Sequence, residues 1–273
     1  MSAADASTAA ARIANLIGEA DSVVALTGAG ISVPSGIPDF RSPGSGLWAN
    51  VNPMEVAHID AFQRDPERFW SFYGQRFQTL EDKRPNRAHA ALVELERAGL
   101  LDAVITQNID RLHARAGTRS VVEVHGSIGH SVCLVCRSRY ELGDVRRLIG
   151  LAADGVPRCE CGEPLKPDVV LFGEYLPAEA IARAEALAAG ADLLLCIGSS
   201  LEVYPVASLP ETTLATGGQI AILTKSSTPF DDVAAVRAGG DVVEELEAVL
   251  AAVGLATPDA VGLASPEAPP LEP

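Results

Sequence analysis

Residues 23–48 read VVALTGAGISVPSGIPDFRSPGSGLW, and this stretch decides the fold. It opens as a short apolar run with a β-branched start, which is typical of a buried strand in a parallel sheet. The run breaks at Gly28, Ala29 and Gly30, where glycine permits backbone conformations and close ligand approach that other residues block. A glycine turn between a strand and a helix presents free backbone N–H groups that suit a pyrophosphate. The stretch therefore predicts a pyrophosphate site at the end of a first strand.

The next residues argue against an ordinary hydride-transferring Rossmann enzyme. The fingerprint of such enzymes has its third glycine where this chain has Val33. Prolines and glycines between residues 34 and 46 cannot continue a long helix and predict an extended loop. The loop carries Asp39, Phe40 and Arg41 side by side. We interpret it as a lid over a charged, planar ligand, and the alternative is a surface loop with an ordinary ion pair.

Composition limits the classes of function. The chain has 273 residues, 48% of them hydrophobic, which indicates a globular protein with a substantial core. None of its apolar runs reaches the ~18 residues that a membrane helix needs. The first ten residues, MSAADASTAA, have no basic region before an apolar core, so we expect a cytoplasmic protein without a secretory signal. A net charge of −15 makes nucleic acid an improbable partner and basic peptides reasonable ones.

Strand and helix patterns alternate along the chain. An alanine-rich helix is predicted over residues 6–20, and short helical patterns broken at Pro53 and Pro66 fill residues 50–84, with aromatics that we expect to form a small core. The other predicted strands are AVIT (103–106), VVEV (121–124), DVVLF (168–172), DLLLCI (192–197) and QIAILT (219–224). The other main helices are predicted over 85–99, 177–190, 205–216 and 241–253. This order predicts an α/β protein with a parallel, doubly wound sheet.

Polar residues and glycines follow the predicted strands. They are residues 28–30, residues 107–110, His125, residues 198–200 and Thr224. In open α/β sheets the carboxyl ends of the strands form the ligand-binding crevice. We therefore expect these residues to meet in one site. Residues 255–273, rich in proline and alanine without periodicity, predict a disordered tail.

Four of the five cysteines form a cluster in the sequence. Cys133 and Cys136 make a CxxC pair, and after 22 intervening residues Cys159 and Cys161 make a CxC pair. Two such pairs resemble a ribbon-type zinc site in which four thiolates leave no open position, so the metal would be structural. The alternative is four reduced cysteines that are close by chance. The fifth, Cys196, lies in an apolar run and is expected to be a buried thiol.

The motifs together resemble the sirtuin family of NAD-dependent protein deacylases. GAGIS, GIPDFR, TQNID, VHG, the four-cysteine segment, VVLFGE and GSS occur in the family order over residues 23–253. The resemblance implies a catalytic domain over residues 1–254 with NAD and an acyl-lysine peptide meeting in a cleft. Its parts are a Rossmann-like domain (about 1–46, 85–126 and 168–254), a helical insertion (about 47–84) and a zinc module (about 127–167).

Family roles transfer to matching positions. The resemblance implies that His125 is the general base and that Asn108 and Asp110 order water and hold the nicotinamide carboxamide. It also implies NAD contacts from Gly28, Ala29, Gly30, Ser32, Pro38, Asp39, Phe40, Arg41, Gln107, Asn108, Ile109, Asp110, Gly198, Ser199, Ser200, Val203, Thr224, Lys225 and Val242. The segment that pairs with substrate backbone comprises Val170, Leu171, Phe172, Gly173 and Glu174. The remaining histidines, His58, His89, His113 and His130, are expected to be structural.

The family reaction explains the need for a histidine. The acyl carbonyl oxygen attacks C1′ of the nicotinamide ribose as nicotinamide leaves, and a ribose hydroxyl then attacks the resulting imidate. This second attack requires a base that works near neutral pH, as histidine does. The resemblance thus implies a lysine deacylase, a deacetylase by default, that releases nicotinamide and 2′-O-acyl-ADP-ribose.

Two departures from the family pattern affect ligand contacts. The family commonly has Asn where this chain has Thr224, so Lys225 could meet the ribose or a phosphate instead. Tyr73 and Arg76 have the spacing that one sirtuin class uses to bind succinyl- or malonyl-lysine, a role that suits arginine. The Gly-Ala pair that accompanies it in that class is replaced here by residues 42–43, Ser-Pro. An acidic-acyl preference and a helix-surface role for Arg76 both remain open.

Other functions stay open at this point. Protein mono-ADP-ribosyl transfer is a second enzymatic possibility, and an NAD-responsive binding module without turnover is a third. From the resemblance we also expect metabolic enzymes such as acyl-CoA synthetases as substrates, and we expect no membrane partner.

Overall fold

The computed structural model describes residues 3–39 and 52–257. Phe40, Arg41 and nearly all of the predicted disordered tail lie outside the described residues. In the described residues no helix has both the length and the apolar character that crossing a membrane requires.

Helices and strands are interspersed along the described residues, with a run of helices over residues 53–97 and a run of strands over residues 121–141. The helices are α1 (Ala3–Glu19), α2 (Pro53–Val56), α3 (Ile59–Arg64), α4 (Pro66–Asp82), α5 (Arg87–Arg97), α6 (Leu112–Ala116), α7 (Leu142–Leu151), α8 (Ala178–Gly190), α9 (Leu209–Ala215) and α10 (Val242–Ala252). The strands are β1 (Val23–Thr27), β2 (Ala103–Thr106), β3 (Val121–Glu123), β4 (Gly126–Cys133), β5 (Arg139–Glu141), β6 (Leu165–Val169), β7 (Leu193–Ile197), β8 (Gln219–Leu223) and β9 (Val236–Ala238).

The large lobe is a six-stranded parallel sheet in the order β3-β2-β1-β7-β8-β9. All five residues of β1 are buried, as its apolar run predicts. One face of the sheet packs on α1, α5 and α10, and the other on α8 and α9. Helices on both faces confirm the predicted doubly wound sheet. The sequence reasoning missed β9, a short edge strand.

The small lobe contains a three-stranded antiparallel sheet in the order β5-β4-β6. The predicted strand at residues 168–172 is wrong in position, because β6 ends at Val169 and pairs with β4. Pro167 lies inside β6, and a residue without an N–H is tolerated there because β6 is an edge strand. Helix α7 in this lobe was also not predicted.

The helical insertion packs on the same lobe. Pro53 and Pro66 begin α2 and α4 where they were expected to break helices, since a first-turn proline loses no helical hydrogen bond. The side chains of Asn52 and Asp65 cap these two helices. The predicted aromatic core is confirmed. Its members are Phe62, Phe69, Trp70, Tyr73 and Phe77, with Phe72 packed at the edge.

Candidate active site

A cavity of about 1090 Å³ lies between the two lobes. It runs along the carboxyl ends of the parallel strands. Strand β1 lies at the middle of the sheet, with β2 paired on one side and β7 on the other. Such a reversal of strand order is the usual position of a ligand crevice in this class of sheet. The predicted residues that follow β1, β2, β7 and β8 reach this cavity, with the exception of Asp110.

The glycine turn after β1 packs backbone against backbone. Gly28 N–H donates to Ile197 O (3.0 Å), and Gly30 N–H donates to Gly198 O (2.8 Å). A Cβ on Gly30 would lie 2.6 Å from Gly198 Cα, closer than real side chains approach. A short 3₁₀ helix, Ala29–Ser35, then leads away from the strand. The glycines are thus required by the contact between two strand ends, which leaves the turn facing the cavity.

A buried polar network lies behind this turn. Asn108 Nδ2 donates to Gly28 O (3.0 Å) and to Ser32 Oγ (3.2 Å). Ser32 Oγ donates to Asp110 Oδ2 (2.7 Å), and Leu112 N–H donates to Oδ1 (2.9 Å). Burial raises the pKa of Asp110, and the bonds from Ser32 and Leu112 oppose that rise. The network fixes Asn108 at the cavity wall, with Ser32 and Asp110 as its supports.

His125 follows β3 and lines the cavity. Its Nδ1 lies 2.9 Å from Gln107 O, and a carbonyl accepts hydrogen bonds, so Nδ1 carries the proton. The other ring nitrogen, Nε2, is then the basic atom. Burial lowers the pKa of His125 below 6.5, while the Gln107 carbonyl works in the opposite direction. The ring is therefore neutral near pH 7 and can accept a proton at Nε2.

The strand ends beyond β1 carry polar groups that suit a nucleotide. Gln107 Nε2 donates to Ser199 Oγ (2.9 Å), which also accepts from Leu201 N–H (3.2 Å). Lys225 Nζ pairs with Asp241 Oδ2 (3.1 Å), and Asp241 caps the N-terminus of α10. The residue that departs from the family pattern, Thr224, thus lies beside a charged pair in the cavity wall.

The predicted substrate segment, residues 170–174, forms the opposite wall. Val170 N–H donates to His125 O (2.8 Å). Phe172 bridges to the helical insertion, where its N–H donates to Ala57 O (2.8 Å) and its carbonyl accepts from Ile59 N–H (3.0 Å). The segment is therefore tied to both lobes.

Tyr73 and Arg76 have different environments, although one helix carries both. Tyr73 is buried and lines the cavity, and burial raises its pKa to about 12. The Arg76 guanidinium lies over the Phe72 ring, 4.1 Å from its centroid, and is outside the cavity lining that the described residues form. Ala57, Ile109 and Val169 also line the cavity, and they pack in the same apolar cluster as Tyr73.

The four clustered cysteines converge at the tip of the small lobe. Their Sγ atoms all lie within 4.8 Å of one another, with Cys133–Cys161 at 3.5 Å and Cys136–Cys159 at 3.3 Å. Tetrahedral zinc with Zn–S bonds of about 2.3 Å requires S–S separations of about 3.8 Å. The donor set therefore fits one structural zinc ion, as predicted. Cys196 is a separate, fully buried thiol, as expected, and burial raises its pKa to about 12.

Most of the predicted site residues converge on the cavity. Those that line it are Gly28, Ala29, Gly30, Asp39, Tyr73, Gln107, Asn108, Ile109, His125, Val170, Leu171, Phe172, Gly173, Glu174, Gly198, Ser199, Ser200, Val203, Thr224, Lys225 and Val242. The described predicted residues outside its lining are Ser32, Pro38, Asp110 and Arg76.

Sequence reasoning did not select every lining residue. Leu223, Ser226, Ser227, Asp241 and Tyr175 adjoin selected positions, so widening each strand end by a few residues would have found them. Ala57 and Ile181 also line the cavity, and only folding brings these two helix-side residues to it.

A family model described as the Sir2 family matches residues 28–205. The NAD-dependent protein deacetylase of Sulfolobus acidocaldarius is 47% identical over 225 residues, which cover 82% of this chain and 87% of that protein.

Two solved structures share the fold. A Sir2 complex with a deacetylated p53 peptide and 3′-O-acetyl ADP ribose has a TM-score of 0.85 and 41% identity, covering 89% of this chain and 98% of that one. A Sir2 protein bound to a propionylated peptide has a TM-score of 0.81 and 41% identity, covering 89% and 97%.

Proposed function

The chain belongs to the Sir2 family, and from that membership we propose an NAD-dependent protein-lysine deacylase that prefers uncharged acyl groups. It transfers the acyl group from lysine to ADP-ribose and releases nicotinamide. The main support for the proposal is the set of contacts that His125 makes. Its ring lines the cavity, Gln107 sets its tautomer, and its carbonyl joins the substrate segment through Val170.

The reaction needs a base that acts inside the cleft. NAD supplies the electrophilic ribose carbon and the ribose hydroxyls when it is bound. His125 Nε2 takes the proton from a ribose hydroxyl, because Nδ1 already donates to Gln107 O. Proton transfer by a positioned base contributes roughly 10²- to 10⁴-fold to a rate.

The polar network behind the glycine turn positions the nicotinamide end of NAD. Asn108 presents its side chain at the cavity wall, and Ser32 and Asp110 hold it from behind. The turn at residues 28–30 and the two serines Ser199 and Ser200 line the cavity. When NAD is bound, the turn would hold the pyrophosphate, and the serines would contact the phosphates and the adenosine ribose.

The acyl preference follows from the apolar wall around Tyr73. A succinyl or malonyl carboxylate needs a cation in that wall, and Arg76 instead stacks on Phe72. Lys225 is the single lysine or arginine among the described lining residues, and it follows β8 at the nucleotide end of the cavity. Desolvating an unpaired carboxylate is costly, so acetyl and propionyl groups fit this wall better.

The test uses purified protein, NAD and matched acetyl-, propionyl- and succinyl-lysine peptides, followed by mass spectrometry of peptides and nucleotides. We expect acetyl or propionyl loss with O-acyl-ADP-ribose, a rate on succinyl-lysine at least ~10-fold lower, and a ~100-fold or greater loss in His125→Ala. Arg76→Ala is the matched control and should leave the order of the peptides unchanged.

Other outcomes identify the other functions. Fastest turnover of succinyl-lysine, abolished in Arg76→Ala, would contradict the acyl preference. ADP-ribose attached to protein without acyl loss would indicate a transferase. NAD binding without any product would leave a binding module.

The proposal also covers the substrate proteins of the enzyme and its cellular compartment. Pairing through the backbone of residues 170–174 places few demands on substrate sequence, which suits acyl-lysine on metabolic enzymes such as acyl-CoA synthetases. Unchanged acyl-lysine on those enzymes after deletion of the gene would contradict this extension. None of the five cysteines forms a disulfide, which suits a reducing cytoplasm, and cell fractionation checks the compartment.

A further inference from the structure

Lys166 is a buried lysine beneath the cleft. It is 5% exposed, and lysine is almost never buried to this extent without a partner. Its Nζ lies 2.8 Å from Glu174 Oε2. Nζ also donates to Val169 O (2.8 Å) and Pro167 O (3.2 Å). An ammonium has three N–H donors, so these three acceptors use all of them and leave none for a substrate.

Glu174 connects Lys166 to the substrate segment through hydrogen bonds. Its Oε2 accepts from Leu171 N–H (2.9 Å), and its own N–H donates to Leu171 O (3.0 Å), which closes a tight turn. Gly173 inside the turn has φ +85, and a Cβ there would lie 2.7 Å from His58 Nε2. The turn is therefore held from below by Lys166 and from the side by the helical insertion.

Lys166 is also connected to the backbone of His125, the proposed general base, through Val169. The carbonyl of Val169 accepts from Lys166, and the next N–H, that of Val170, donates to His125 O (2.8 Å). One ammonium thus fixes both ends of the segment, through Val169 at its start and Glu174 at its end. The His125 backbone is bonded to the same peptide unit.

We propose that Lys166 is a positioning residue that holds residues 170–174 and the His125 backbone in the register an acyl-lysine peptide requires. The proposal rests on the proposed role of residues 170–174 in substrate binding. Removing one member of a buried pair leaves the other charge uncompensated, so the turn should rearrange when Lys166 loses its charge. Misplacement of a substrate-positioning element by about 1 Å can cost about 100-fold.

The test compares variants in steady-state deacylation with separate titrations of peptide and NAD. Lys166→Met should raise the peptide KM about 10- to 100-fold and leave the NAD KM within about twofold. Lys166→Arg, which keeps a buried cation, should recover most of the loss. The matched control is Arg68→Met, because Arg68 forms a 3.0 Å ion pair with Glu55 in which both side chains are more than half exposed. We expect this control to match the wild type.

A second variant keeps the test decisive if Lys166→Met does not fold. Lys166→Met with Glu174→Gln removes both charges while Gln can still accept from Leu171 N–H, and its peptide KM should stay raised. An unchanged peptide KM in either folded variant, or equal rises in both KM values, would overturn the proposal.

Direct binding of a labelled acyl-lysine peptide separates the positioning role of Lys166 from the proposed deacylase function. If wild-type protein shows no turnover, the proposed function fails, while weaker binding by Lys166→Met would still support the positioning role.

Discussion

His125 is half-buried and His113 is fully buried, and their hydrogen bonds give them different chemical capacities. His113 Nε2 lies 2.9 Å from Thr27 Oγ1, and its Nδ1 has no hydrogen-bond partner among the described residues. Its ring packs 4.9 Å from that of His89, and burial lowers the pKa of His113 to about 4. This pair belongs to the interior. His125 instead has a fixed proton at Nδ1 and an Nε2 in the cavity, so it alone of these three suits catalysis.

The pH dependence of deacylation tests the state of His125. Burial lowers its pKa below 6.5, so the basic form persists to lower pH than for an exposed histidine. We expect kcat/KM for an acetyl-lysine peptide to be flat near pH 7 and to fall only as the pH drops through that lowered pKa. Circular dichroism at each pH is the control, because protonation of His113 also destabilises the fold in acid. An ascending limb centred above pH 6.5 would contradict this assignment.

At the scale of elements, the site depends on two strand ends that touch. The turn after β1 and the turn after β7 approach so closely that a side chain is excluded at Gly28, Gly30 and Gly198. Gly28 and Gly30 donate to the end of β7 and to Gly198 respectively, and Gly198 itself has φ +61. This contact presents the two turns to the cavity as one surface.

Gly30→Ala tests that contact. The new Cβ would meet Gly198 Cα at 2.6 Å, so the two strand ends must separate. We expect a loss of about 1–3 kcal/mol in the free energy of unfolding, together with weaker NAD binding. Urea unfolding and calorimetric titration with NAD measure the two effects.

Gly18→Ala is the control for that experiment. Gly18 lies in α1, and a Cβ added there would meet no described heavy atom within 4 Å. This change should stabilise the protein by about 0.5–1 kcal/mol and leave NAD binding unchanged. If both variants bind NAD as the wild type does, the packed turn is not required for the site.

At the scale of the whole molecule, the two lobes have separate cores and share one cleft. The parallel sheet supplies the glycine turns and the polar network. The small lobe supplies β6, whose continuation is residues 170–174. The cysteine cluster lies at one end of the small antiparallel sheet, where Cys133 ends β4 and Cys161 precedes β6. A metal bound there would support the cavity wall that residues 170–174 form.

Zinc removal is therefore expected to affect the peptide more than the nucleotide. Treatment with a thiol-compatible chelator should unfold the small sheet and abolish deacylation, because binding of a structural metal is coupled to folding. NAD binding through the large sheet should weaken less. Metal analysis, circular dichroism and NAD titration follow the change, and added Zn²⁺ but not Mg²⁺ should restore activity. Full deacylation by metal-free protein would contradict this dependence.

The order and type of most elements could be predicted from local pattern. Apolar runs such as residues 193–197 indicate buried strands, and glycine after a strand indicates a ligand turn, because both signals depend on neighbouring residues alone. The same holds for the cysteine pairs, whose spacing indicates zinc. Convergence of residues at strand ends also follows from sequence, since parallel strands place their carboxyl ends at one edge.

Long-range partners could not be predicted in this way. Strand β6 looks like another buried strand, yet its pairing with β4 depends on which edge is available after folding. Arg76 has the spacing of a carboxylate-binding residue, but packing directs its guanidinium onto Phe72. The pairing of Lys166 with Glu174 has no local signal either, because a charged side chain shows its partner only once the backbone is placed. Sequence thus determined the family pattern, the parallel sheet and the chemical groups of the site. Tertiary structure decided which strands pair and where each buried charge points, because these depend on contacts between residues far apart in the chain.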